Sequence, residues 1–404
     1  MYLNNYQYLK EKESFILIFL ILTSLFVRIP VILIFGDTNL ENEWKVIVEN
    51  LVQHDQLSYR NFDGYFLPNL YMPPLYSLFL YIFTIFDLDQ KNYIILILST
   101  QAFLSSISVA VFYKLNKILF SKKTSLFGAL IFSLFPLHMY ACSQISSASL
   151  QVFLSILFIY FFLKFVEKKN ILLILILSFI SGLLVLLRGE FIAIFIISLF
   201  YAFLFFKVPI RKIILIIFIT LITISPYLIR NIIIFEKITI TKSFGYNLWK
   251  GNNPNAKVEG SELIDSNLQT KINKIPKDKY YQINLDQIFF DQAVENITKE
   301  PARYILLFLK KFFSFLFIDI QSSNPKYYNP IHYLPILIIG LTSLIGIFLQ
   351  DKKSHKLNYL ILIFLINIFI YSSLFILARY KLAILPLQII FTNSLLEYMK
   401  KKLK

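Results

Sequence analysis

The sequence predicts an all-α polytopic membrane protein with about ten transmembrane helices, and three observations predict it. Hydrophobic residues fill 57% of 404 positions and charged residues only 16%, a balance that soluble domains of this size do not reach. The apolar residues fall in runs of Leu, Ile and Phe about twenty long, enough to cross a hydrocarbon core of ~30 Å. Lysine and arginine gather in short clusters between those runs.

Candidate spans lie at 14–35, 93–114, 123–141, 148–166, 170–187, 190–207, 211–234, 334–350, 357–377 and 382–398. The first is too long for a cleavable signal and has no small-residue cleavage site, so it is expected to be retained. Six basic clusters order the set: Lys10 and Lys12; Lys114, Lys117, Lys122 and Lys123; Lys164, Lys168 and Lys169; Lys207, Arg211 and Lys212; Lys352, Lys353 and Lys356; and Lys400, Lys401, Lys402 and Lys404. All share one face if those ten segments cross and nothing else does, and the positive-inside rule makes that face cytoplasmic. Leu75–Phe86 is too short to cross comfortably, and Tyr304–Phe317 is interrupted by Lys310 and Lys311. If either crossed alone, the later clusters would move outside. Both are therefore expected as helices in the outer interface, with their apolar faces in lipid.

Three regions follow. Residues 1–234 form an N-terminal transmembrane catalytic module with a first outer loop at 36–92. Residues 235–302 hold most of the remaining polarity and read as a small extracytoplasmic subdomain, helical around Tyr280–Asn296. Residues 303–404 carry an interfacial helix and the last spans. The net charge of +16 comes from the topology-setting clusters and calls for no nucleic acid. The single cysteine, Cys142, excludes an internal disulfide framework and a cysteine-based metal cluster. No glycine-rich phosphate loop, Ser-His-Asp arrangement or zinc spacing is present, and His138 reads as a polar interface residue. No internal repeat of the kind that marks transporters is visible. An enzyme facing outward has no ATP or nucleotide sugar, so its donor has to be a membrane lipid.

The chemistry-bearing candidates sit on that outer face. Asp37, Glu41 and Glu43 fall within seven residues where the chain leaves the first span. One of them serves as a general base toward an acceptor hydroxyl; alternatively, Asp37 caps a helix beginning near Asn39 and the glutamates are solvated. Trp44, Ile47, Val48 and Leu51 recur at helical spacing and predict an amphipathic surface helix. Met72-Pro73-Pro74 fixes an extended entry into the next helix. Arg188 with Glu190 reads either as a buried ion pair or as a phosphate grip. Arg230 reads either as a snorkelling residue or as a ligand contact. Arg379-Tyr380-Lys381 breaks two apolar runs on the face opposite the basic clusters, so those cations need a local reason: lipid headgroups, or a lipid-linked phosphate.

In order and spacing, these motifs resemble the polytopic lipid-dependent glycosyltransferases of the GT-C fold, in the branch of protein O-mannosyltransferases and the aminoarabinose transferase acting on lipid A (glycosyltransferase family 39-like). The resemblance rests on Gly36-Asp37, Glu43-Trp44, Pro73-Pro74-Leu75-Tyr76, Ser133-Leu134-Phe135-Pro136-Leu137-His138 and Leu187-Arg188-Gly189-Glu190. It continues through Pro226-Tyr227-Leu228-Ile229-Arg230-Asn231, the stretch from Gly245 to Pro254, Glu300-Pro301-Ala302-Arg303-Tyr304 and Arg379-Tyr380-Lys381. It implies sugar transfer from a polyprenyl-phosphate donor to an extracytoplasmic glycan, lipid or protein acceptor, in a bacterial inner membrane. The catalytic acid falls on Asp37, with Glu41 and Glu43 as rivals. Donor-phosphate contacts fall on Arg379, with Tyr380 and Lys381 beside it, and more weakly on Arg188 and Arg230. No cofactor is implied, although a divalent cation held by Asp37 and a second carboxylate stays open. The chain departs from the pattern at Ser143–Gln151, where members often carry an acid and this sequence has none; Glu41, Glu43 or Glu190 would have to supply a second carboxylate. A lipid-linked sugar flippase and a polysaccharide ligase are the alternative functions.

Overall fold

The computed structural model describes residues 2–62, 65–319, 321–322, 330–350 and 354–403. Of the basic clusters, Lys352, Lys353 and Lys404 lie outside the described residues. The apolar runs are helical because backbone polar groups in lipid must be satisfied within the segment. Helix α1 is Tyr2–Phe35. The loop after it folds into α2 (Asn42–His54), a hairpin of β1 (Ser58–Phe62) and β2 (Tyr65–Pro68), and α3 (Pro74–Ile82). The two strands pair antiparallel, with Arg60 opposite Leu67 and a bulge between Ser58 and Arg60. The bundle continues through α4 (Gln90–Lys117), α5 (Lys122–Leu134), α6 (Pro136–Ala141), α7 (Ala148–Lys168), α8 (Ile171–Leu187), α9 (Phe191–Leu204) and α10 (Ile210–Phe235). Then come the polar helices α11 (Phe244–Gly251), α12 (Ser266–Asn273) and α13 (Tyr281–Lys299), followed by α14 (Pro301–Leu316). Helices α15 (Pro330–Leu349), α16 (His355–Ser373) and α17 (Leu385–Lys402) close the chain, with a 3-10 turn at Ala378–Ala383 before the last.

Among the described residues, six helices are long and apolar enough to cross a membrane: α1, α4, α7, α10, α15 and α16. The other expected spans are shorter or more polar. The expected 123–141 span breaks at Phe135, whose extended backbone (ψ 119°) is what a following proline favours, and Pro136 starts α6 afresh. Helix α17 is buried throughout residues 385–394, with polar Gln388, Thr392, Asn393 and Ser394 among the apolar side chains, and its far end carries Lys400, Lys401 and Lys402. It lies against α15 so closely that a Cβ on Gly346 would sit 1.9 Å from the Phe391 carbonyl oxygen, and only glycine fits there.

The basic clusters meet at one end of the bundle. Lys117 pairs with Glu13 at 2.8 Å, Lys169 Nζ donates to the Lys207 carbonyl at 3.3 Å, and Lys400 Nζ donates to Thr124 Oγ1 at 2.6 Å. Lys356 pairs with Glu167. The loop-forming segments gather at the other end.

The two helices expected in the interface are only partly lipid-facing. Helix α3 buries Tyr76, Ser77 and Leu80, with Tyr76 OH donating to Gln101 Oε1 at 2.9 Å, and exposes Leu78 and Ile82. Helix α14 exposes Ile305, Leu306, Leu309 and Phe313 but turns Lys311 inward. There Lys311 Nζ donates to the carbonyls of Gly251 (2.7 Å) and Leu374 (2.6 Å), at the ends of α11 and α16. A Cβ on Gly251 would lie 1.8 Å from the same Leu374 oxygen. The polar subdomain is therefore pinned directly to the bundle.

Candidate active site

A cavity of about 1690 Å³ opens at the end opposite the basic clusters. Its walls come from the loop after α1, the α6–α7 loop, the α8–α9 turn, the segment 238–250 and the segment 374–380. Asp37, Glu41, Glu43, Arg188, Arg379 and Tyr380 all line it.

The Asp37 backbone is built into the far wall. Its N–H donates to the Ser143 carbonyl (3.0 Å), and its Oδ2 accepts from the Ile145 N–H (2.7 Å). Two residues earlier, the Phe35 carbonyl accepts from Gln144 Nε2 at 2.8 Å. Asp37 does not cap the next helix. Helix α2 begins at Asn42, with Glu41 in the capping position and no side-chain capping bond. The acid-free stretch after His138 thus contributes backbone: it fixes the carboxylate that α1 delivers. Glu41 and Glu43 stand at the start of α2, where Trp44 packs edge-on against Tyr76 with centroids 4.8 Å apart.

The basic wall forms where α8 ends and the 3-10 turn begins. Arg188 Nη1 lies 3.9 Å from Glu190 Oε1, which also accepts from Tyr371 OH at 3.0 Å; Gln151 Nε2 in turn donates to Tyr371 OH at 3.2 Å. The guanidiniums of Arg188 and Arg379 approach one ring, that of Tyr380, at 5.7 and 6.0 Å from its centroid. Among the described residues, Arg188 Nε is buried and has no hydrogen-bond acceptor. A buried guanidinium N–H without a protein acceptor is the kind of donor that an anionic oxygen would satisfy.

Two candidates stand elsewhere. Arg230 does not line the cavity: Nη1 donates to Asn69 O (3.0 Å) and Asn231 Oδ1 (2.7 Å), and Nη2 donates to Leu57 O (3.1 Å). Lys381 is buried and donates to the Ser314 and Phe315 carbonyls at 2.7 and 2.8 Å, near the end of α14. Both guanidinium and ammonium are occupied in holding backbone. Among the described residues, no three His, Cys, Asp or Glu side chains come together as a metal site.

Sequence reasoning missed several groups. Arg28, inside the apolar run of α1, is fully buried and donates from Nε to Ser105 Oγ (2.9 Å) and from Nη1 to Ser133 O (3.2 Å); its Nη2 lies 2.9 Å from His138 Nδ1. His138 is therefore buried and stacked on Phe132 at 4.0 Å, not at an interface. The lone cation in a greasy run was the available signal. Tyr59, Tyr71, Tyr246, Lys250 and Glu262 also line the cavity. Tyr246 and Lys250 fall in the Gly245–Pro254 stretch that carries the resemblance, and nothing in the local sequence set Tyr59, Tyr71 or Glu262 apart.

Residues 72–229 match the family model of dolichyl-phosphate-mannose-protein mannosyltransferases. Comparison with curated protein sequences gives no match. Among solved structures, the chain is similar to the apo oligosaccharyltransferase of Archaeoglobus fulgidus (11% identity, TM-score 0.56, 96% of this chain and 51% of that one). It is also similar to the Archaeoglobus fulgidus oligosaccharyltransferase AglB in complex with an inhibitory peptide and a dolichol-phosphate (11%, 0.53, 95% and 50%). The likeness to ArnT from Cupriavidus metallidurans bound to undecaprenyl phosphate is weaker in superposition (11%, 0.42, 96% and 78%). The chain spans about half the length of the oligosaccharyltransferases it matches. It is an integral membrane protein with the GT-C fold, as its motifs implied. The family match covers the stretch from Met72 to Ile229, which includes Pro73-Pro74, Pro136-Leu137-His138 and Arg188-Gly189-Glu190.

Proposed function

We propose that the protein transfers a sugar from a polyprenyl-phosphate donor to an acceptor hydroxyl on the extracytoplasmic side, with inversion at the anomeric carbon. The observation that carries this reading is that Asp37 and the Arg188–Arg379 pair, far apart in sequence, line one cavity. The family match over 72–229 and the dolichol-phosphate held by a protein of the same fold support a lipid-linked donor.

Asp37 takes the proton of the acceptor hydroxyl, with its carboxylate oriented by the Ile145 N–H. The acceptor oxygen bonds to the anomeric carbon as the bond from that carbon to the phosphate oxygen breaks. Polyprenyl phosphate leaves with the electron pair. Arg188 and Arg379 face the leaving phosphate, whose charge grows in the transition state, and the buried Arg188 Nε finds its acceptor there. One displacement without a glycosyl-enzyme intermediate inverts configuration. The apolar lining at Val31, Ile34, Leu228 and Ile238 gives a prenyl chain a path from the bilayer.

The test uses purified enzyme in lipid nanodiscs with an isotope-labelled polyprenyl-phosphate sugar. Product of inverted configuration by NMR, together with a 10²–10⁴-fold loss of transfer in Asp37→Asn, is the expected result. Retained configuration, or near-normal transfer by Asp37→Asn, rejects the mechanism.

A further inference from the structure

The cavity has a second region that phosphate chemistry does not use. From the first loop and the polar subdomain, three phenols come together: Tyr59 and Tyr71 stack with centroids 5.3 Å apart and planes 12° apart, and Tyr71 meets Tyr246 edge-on at 5.8 Å. All three line the cavity and none is fully buried. Carboxylates flank them. Glu262 is held by Lys250 at 2.5 Å and lies next to Tyr246, and Glu43 opens α2 on the other side. Burial, with the neighbouring phenols and both carboxylates behind it, pushes the Tyr71 phenol up, and burial followed by the Glu262 charge does the same to Tyr246. These groups stay neutral hydroxyls that donate and accept.

Aromatic surface bordered by carboxylates matches the two sides of a sugar ring. Its C–H face packs on aromatic rings, and its hydroxyls donate to carboxylate oxygens. We propose that Tyr59, Tyr71 and Tyr246, with Glu43 and Glu262, form a saccharide subsite that holds the acceptor, so that the acceptor hydroxyl belongs to a glycan. The assignment to the acceptor comes from position. On the donor reading, the donor's sugar is bonded directly to the phosphate held by Arg188 and Arg379, both of which approach the Tyr380 ring, and so stays at that end of the cavity. The aromatic shelf lies further along the wall, past Phe375 (5.8 Å from Tyr380) and Lys250, whose Nζ stands 4.8 Å over the Phe375 ring. Among the described residues, the hairpin contributes only Tyr59 to the wall, so the shelf offers side chains and no strand edge on which an extended peptide could add.

This inference rests on the donor reading for its orientation, and the experiment separates the two. Saturation-transfer NMR is run on the full-length protein in nanodiscs loaded with polyprenyl phosphate. The probes are the methyl glycosides of glucose, galactose, mannose and rhamnose, and a serine-containing hexapeptide. The expected result is saturation of ring C–H protons in at least one glycoside, reduced three-fold or more in Tyr59→Leu and in Glu262→Gln, retained in Tyr59→Phe, and absent from the peptide. Unsaturated glycosides, an unaffected Tyr59→Leu protein, or a saturated peptide overturns the subsite. Trp44 fluorescence in a Trp249→Phe background, titrated with polyprenyl phosphate, reports donor binding separately. Donor binding without sugar contact removes the subsite alone, and sugar contact without donor binding removes the donor reading and leaves the subsite standing.

Discussion

At the scale of single residues, the candidate cations divide by what their nitrogens already hold. Arg230 and Lys381 spend their donors on backbone carbonyls, whereas Arg188 keeps a buried Nε without an acceptor. Arg230→Ala is therefore expected to cost roughly 1.5–3 kcal/mol of stability through the lost charged hydrogen bonds. Thermal unfolding reads that loss, and turnover per folded molecule stays unchanged; a selective rise in donor KM without destabilisation contradicts it. Arg188→Met does the opposite, lowering kcat by 10²-fold or more with a small change in melting. The acids and arginines were legible in the sequence because charge at a membrane boundary is rare. Their sorting was not. A sequence shows that Arg230 and Arg379 both end apolar runs, but the partner of each guanidinium lies on another segment.

At the scale of elements, the instructive one is the break at Phe135-Pro136. Composition reads 123–141 as one run, but the proline divides it and α6 carries the chain into the loop at 143–147, whose backbone receives Asp37. The missing acid in that loop looked like a defect in the sequence because side chains are all that a sequence displays; the contribution here is an N–H and a carbonyl. Lys311 is a similar case. Read as an interruption of an interfacial helix, it instead satisfies the carbonyl ends of α11 and α16. Lys311→Met should loosen the polar subdomain, with faster amide exchange across α11 and a stability loss of roughly 1.5–3 kcal/mol. Unchanged exchange in α11 would show that the subdomain is held by other contacts.

At the scale of the whole molecule, the positions of the basic clusters carried most of the architecture. The segments that they separate do converge at one end, and the motif-bearing loops converge at the other. What the sequence could not supply was the number of full crossings, since α17 mixes buried Gln388, Thr392, Asn393 and Ser394 with its buried apolar residues and ends in lysines, and α3 is apolar but short. The sidedness makes a direct prediction. In a Cys142→Ser background, a cysteine at Asn255 should react with a membrane-impermeant maleimide in intact cells. A cysteine at Lys168 should react only after permeabilisation. The reverse pattern would place the cavity in the cytoplasm and remove the reason for a lipid donor.

The central claim is that one carboxylate and two guanidiniums divide the work on a single prenyl-phosphate donor. Parallel measurement of donor affinity and single-turnover rate in the wild type, Asp37→Asn and Arg379→Ala tests it most directly. The prediction is that Asp37→Asn binds donor normally yet loses at least 10²-fold in rate, whereas Arg379→Ala loses both affinity and rate. A protein in which Asp37→Asn turns over normally, or in which Arg379→Ala binds and reacts like the wild type, would contradict it.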